Sequence, residues 1–169
     1  MNFQGIKVGG AFTITCKDFN GKVKWEDTAK NLVVNEGLDH ILGILFQSGT
    51  QVDPWYVGLT DGTPTVAAAD TTASHAGWTE VTAYSEGVRQ AFVDGTITSQ
   101  SVSNSASKAS FSISSDSTTI GGAFLASSAT TGANGDLLCV AAFDGGDKSA
   151  DNGDTLEVQY TFSASDDAA

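Results

Sequence analysis

The sequence predicts an all-β domain: an antiparallel β-sandwich, jelly-roll-like, with one short helix. Three observations lead there. Gly, Ser, Thr, Ala and Asp are abundant while Lys, Arg, Met and Pro are scarce. Apolar residues come in short alternating runs, with one segment only of helical spacing. Turn-forming residues recur about every ten positions, the rhythm of a two-sheet fold. A chain of 169 residues is long enough to bury its own core, so 1–169 reads as a single domain.

The elements follow in order. "GGAFTITCKDFNGKVKWED" reads as a hairpin. Phe12, Ile14 and Cys16 alternate on one side, Asn20 and Gly21 supply the turn, and Val23 and Trp25 resume the alternation. "NEGLDHILGILFQSG" reads as a helix over residues 35–47. Asn35 is its N-cap, and Glu36 and Asp39 sit where the helix dipole favours acids. Leu38, Ile41, Leu42 and Leu45 form the stripe expected to face the sheet, and Gly49 is the stop. Gly37 and Gly43 weaken the helix, so packing must hold it.

"WYVGLT" at 55–60 is a strand ended by "DGTP", and a long polar stretch runs from 65 to 87. "GVRQAFVDG", "TITSQSVSNS", "KASFSIS", "TTIGGAFLASS", "DLLCVAAF" and "DTLEVQYTFSAS" are further strands. The total is about nine strands and one helix. The final "SDDAA" is expected to be loose. There is no long-period repeat and no heptad run, against propellers, solenoids and coiled-coil shafts.

Charge narrows the partners. The formal net charge is −12, which excludes nucleic acid and anionic membrane surfaces. Residues 1–30 carry +2 and the remainder −14, so the N-terminal segment differs electrostatically from the body. The start lacks an apolar signal segment and no run is long enough to span a membrane; a soluble protein made in the cytoplasm is expected. Cys16 and Cys139 sit in apolar runs, as buried free thiols or as a bridge between neighbouring strands.

Candidate chemistry is sparse. "ASHAGWTE" sets Ser74 beside His75 with Trp78 and Glu80 following, the residue types of a nucleophilic hydrolase. Sequence neighbours rarely point at one another, however, and the G-x-S-x-G pattern is absent. "DGGDKSADNGD" offers Asp144, Asp147, Asp151 and Asp154 in one Gly-rich loop, but at no calcium-loop spacing. "IGGAF" lacks the lysine and helix of a phosphate cradle. The reading is therefore no catalytic residue, no metal and no cofactor. Trp25, Trp55, Tyr56, Trp78, Tyr84 and Phe92 concentrate in the first part of the chain, which suits an assembly protein.

The ordered series "NLVVNEGLDHIL", "WYVGLTD", "ASHAGWTEVTAYSE", "RQAF", "SVSNSASKASFSI", "IGGAFL" and "GDTLEVQYTFSAS" resembles a set of small virion proteins of tailed bacteriophages. Its members resemble capsid cement, or decoration, proteins; similar sequences are also labelled tail proteins. The resemblance implies a non-enzymatic protein on the capsid surface, bound to the major capsid protein and self-associated as a homotrimer. A tail-tube or tail-fibre component and a carbohydrate-binding module are the alternatives. Residues 1–30 lie mostly outside the resemblance. Their charge makes them the expected docking hairpin or arm, with Phe3, Ile6 and Val8 as apolar contacts and Lys7, Lys17, Lys22 and Lys24 facing a partner's carboxylates.

Overall fold

The computed structural model describes residues 5–166. Strand β1 (Ile6–Lys17) and strand β2 (Val23–Val33) form the expected hairpin. Its turn works because Gly21 takes φ +81°, a left-handed conformation that only glycine adopts freely. Asp18 fixes the turn by accepting the N–H groups of Asn20 and Lys22, each at 2.9 Å. On the other side of β1 lies β12 (Thr155–Asp166), in register from Ile6 opposite Asp166 to Lys17 opposite Thr155. β6 (Ser101–Ser103) and β7 (Ala109–Ser112) extend this first sheet beyond β12.

β2 then changes sheets. Its residues up to Lys30 pair with β1, while Asn31, Leu32 and Val33 pair with β10 (Leu137–Ala142). The second sheet continues through β9 (Gly122–Ala126) and β3 (Trp55–Asp61) to the short edge strands β4 (Thr79–Glu80) and β5 (Gln90–Phe92). β8 (Thr118–Ile120) and β11 (Lys148–Ala150) make a separate ladder. Every one of these pairings is antiparallel.

The inner faces meet as a sandwich. Phe12, Ile14, Leu156, Val158 and Tyr160 of the first sheet share one core with Val57, Leu59, Leu125, Cys139 and Ala141 of the second. Tyr160 is the hinge pin: its ring lies 4.3 Å from Phe12, Phe92 meets it edge-on at 5.8 Å, and its hydroxyl takes the Cys139 thiol at 3.4 Å. The second sheet is covered on its outer face too. Val34, Trp78, Phe124, Leu137 and Val140 cluster there. Burial on both faces explains why β9 and β10 read as continuous apolar runs.

Two expectations for the helix need correction. The helix α1 (Asn35–Phe46) forms, but its N-cap is Val34, without a side-chain cap bond; Asn35 instead gives its N–H to Ala68 O at 2.8 Å. α1 also does not seat through Leu38, Leu42 and Leu45, which are 38, 52 and 65% exposed. Of the expected stripe, Ile41 alone packs against the core. The close contact is Gly37, where a Cβ would stand 2.2 Å from Leu138 O. Docking through the smallest residue turns the outer half of the apolar arc away from the sheet.

The strand count is also higher, twelve among the described residues, because short pieces such as β4, β8 and β11 are paired. "TTIGGAFLASS" breaks between β8 and β9 at Gly121, whose backbone lies too close to Gly62 for any Cβ. Of the tail expected to be loose, Ser165 and Asp166 complete β12, and 167–169 lie outside the described residues. Cys16 and Cys139 are free and buried, which removes the bridge.

Candidate interaction surface

"ASHAGWTE" folds as a clasp over the outer face of the second sheet. His75 stacks on Trp78 with ring centroids 3.8 Å apart, and its Nδ1 lies 2.8 Å from Trp78 O. Trp78 gives its indole N–H to Asp70 Oδ2 at 3.1 Å. Glu80 turns to Arg89 instead of His75: Arg89 Nε–Oε1 is 2.8 Å and Nη2–Oε2 is 3.0 Å. The three residue types are thus near in sequence but face different partners.

Three of the four carboxylates of the acidic loop are likewise bonded within the fold. Asp147 accepts from the Thr63 N–H and hydroxyl, Asp151 from the Ser117 N–H, and Asp154 from the Asp151 N–H. Lys24 joins Asp154 at 2.5 Å and Asp151 at 2.9 Å. These bonds hold the Lys24 ammonium charged and lower the Asp151 carboxyl below its usual value. Among the described residues no group of three or more His, Cys, Asp or Glu is arranged to hold a metal ion.

The thiols are protected by burial. Desolvation raises Cys139 to about 12, and desolvation with the nearby Asp154 charge raises Cys16 to about 12. Tyr160 is raised as well, chiefly by burial.

The expected docking residues are spread out. Phe3 lies outside the described residues. Ile6 is 78% exposed, Lys7 and Lys22 are exposed, and Val8 packs at the margin of the core. Lys17 is bonded to Glu157 at 2.5 Å, and Lys24 holds the acidic loop. Lys7 and Lys17 stand at opposite ends of β1, ten residues or roughly 33 Å apart. Lys7 instead shares a shallow groove with Gly9, Lys30, Thr161 and Ser163. The hairpin itself is central to the first sheet, with β12 on one side of β1 and β2 on the other.

What reading the sequence missed lies on another face. The outer arc of α1 presents Leu38, Leu42, Leu45 and Phe46, the last 78% exposed. The inner edge of α1 forms one wall of a cleft of about 460 Å³ at the open end of the sandwich. Ile41 and Ile44 face Trp55, Phe92, Tyr160 and Phe162 across it, with Ile97 and Val102 completing the wall. His40 enters this wall edge-on to Trp55 at 5.0 Å; its Nδ1 is 3.9 Å from Asp136, and its Nε2 is buried without a hydrogen-bond partner. The signal in the sequence was the surplus of Ile44, Leu45 and Phe46, which makes the helix apolar over more of its circumference than one seat can use.

Among the described residues no helix is long and apolar enough to cross a membrane. The chain matches no family model and no curated protein sequence.

Proposed function

We propose that this chain is a non-enzymatic structural protein of a bacteriophage virion, a capsid cement that binds the assembled head shell through the major capsid protein and joins its own copies as a homotrimer. The observation that carries the reading is the uncovered apolar arc of α1. Four large apolar side chains on one helix face, 38 to 78% exposed, favour burial against another protein. The clasp and the acidic loop support it by using their polar groups inside the fold. The sequence resemblance supplies the capsid. A protein that binds only the assembled lattice stabilises it by mass action.

Residues 1–30 form a second part of the contact in this reading. Lys17 and Lys24 already hold carboxylates of their own chain; of the expected contacts among the described residues, Ile6, Lys7 and Lys22 are exposed and available to a partner. The test is addition of purified protein to heads lacking it, with occupancy read from a reconstruction. Binding to the head is expected, with occupancy lowered by Leu42→Gln with Phe46→Gln and by deletion of residues 2–10. Location on the tail, or absence from the particle, overturns the proposal. Decoration unchanged by the deletion removes only the N-terminal part.

A further inference from the structure

We infer that the cleft beside α1 receives an apolar side chain from a partner segment whose flanking residues are lysine or arginine. The inference rests on the assembly reading above and names the chemistry of its partner. A cleft of about 460 Å³ walled by Trp55, Phe92, Tyr160 and Phe162 is large enough for a bulky side chain and offers it aromatic surface on several sides. The exposed arc of α1 adjoins the same opening, so one segment laid along it buries Leu42 and Leu45 while its anchor fills the cleft. That is the geometry of an amphipathic segment held in a groove.

Charge selects the occupant. Asp53 and Asp94 line the cleft, and Asp39 borders the arc on α1. None of the three has an ion-pair partner among the described residues, and no lysine or arginine lines the cleft. The body adds to their field with its net charge of −12. A second copy seated here sets carboxylates against carboxylates at close range, inside the screening distance of about 8–10 Å. A basic segment neutralises them.

The probes are two synthetic amphipathic helical peptides, one of leucine and lysine, the other with glutamate at every lysine position. Binding is followed by titration calorimetry and by amide shifts around Trp55 and His40. The Leu/Lys peptide is expected to bind with shifts confined to the cleft and α1, and the Leu/Glu peptide to bind at least tenfold more weakly. Ile97 is 73% exposed, so Ile97→Gln with Leu42→Gln leaves the fold intact, checked by circular dichroism. That variant should weaken Leu/Lys binding about tenfold, or about 1.4 kcal/mol. Equal binding to wild type and variant reveals charge adsorption and overturns the inference. So does failure of the Leu/Lys peptide to bind, or equal binding of both peptides. A wild-type oligomer that dissociates with Leu42→Gln assigns the face to a second copy and overturns the basic partner. Head decoration in the reconstitution above is scored separately, so the cleft can fail while the cement reading stands.

Discussion

Replacing Arg89 by methionine should destabilise the protein by about 3–5 kcal/mol, the range for a buried ion pair broken on one side. The Arg89 side chain is 1% exposed and that of Glu80 8%. All five guanidinium donors are used. Nε and Nη2 grip the two Glu80 oxygens at 2.8 and 3.0 Å, Nη1 reaches Ser128 O and Asn134 O, and Nη2 also reaches Gly132 O at 2.7 Å. Methionine keeps the length of the stem but none of these donors. Glu80 is left with the Gly132 N–H at 2.7 Å and no counter-charge, and the carbonyls of the 128–134 loop lose their anchor. In a chain of this size 1 kcal/mol moves Tm by about 2–4 °C, so a drop of roughly 6–20 °C is expected. Arg89→Lys should recover little, because three mobile donors cannot reproduce a planar fork. Arg89→Met combined with Glu80→Leu should be more stable than Arg89→Met alone, since the second change removes the stranded carboxylate. Urea unfolding followed by circular dichroism measures all four proteins. A loss below 1 kcal/mol for Arg89→Met, or a double variant no better than the single, refutes the argument.

Two glycines of α1 should respond in opposite directions. Gly37→Ala forces a methyl against Leu138 O, at a loss of about 1–3 kcal/mol, whereas Gly43→Ala meets open space and should gain about 0.5–1 kcal/mol; urea midpoints check both. Burial of Cys139 predicts alkaline weakening. The thiol titrates near 9 when unfolded and at about 12 when folded, so above pH 9 the unfolded state binds fewer protons and stability falls as pH rises toward 12. The Cys139 share at pH 10 is on the order of 1 kcal/mol, and Cys139→Ala should flatten the decline in unfolding free energy between pH 8 and 10 by about that amount. Neither thiol should react with a disulfide reagent at neutral pH until urea unfolds the chain. His75→Ala should lose the Trp78 stack and lower stability by about 1 kcal/mol while leaving capsid occupancy unchanged. Full loss of decoration by a folded His75→Ala protein would contradict the structural role of the clasp.

The alternating strands and the Asn20–Gly21 turn were legible because their rules are local: side chains alternate every residue, and a tight turn needs a left-handed position. The helix was legible as a helix but not in its orientation. Four leucine-class residues outweigh one glycine in any periodicity argument, yet Gly37 sets the seat because it admits Leu138 O closest to the axis. The switch of β2 between sheets left no mark, since Lys30 and Asn31 look alike to a pattern of burial. Arg89 was invisible for a related reason. Its donors are met by Glu80 and by loop carbonyls as far away as Asn134, and only the folded backbone gathers them. The cleft draws its wall from several separate segments, so no single stretch announces it.

The register of β1 against β12 brings Ile6 beside Asp166, so both ends of the described chain leave the fold at one corner. This fixes how the molecule bears mechanical load. Inter-strand hydrogen bonds in an antiparallel pair lie perpendicular to the strands. A pull that separates the two ends therefore runs along those bonds and opens them one after another, as a zipper opens. A pull on the Asp166 end against the Asn20–Gly21 turn runs along the strands instead, drawing β12 past β1 and straining the whole ladder together. Tension between Ile6 and Asp166 therefore meets little resistance. The same tension applied between Asp166 and the turn meets the full length of the β1–β12 ladder.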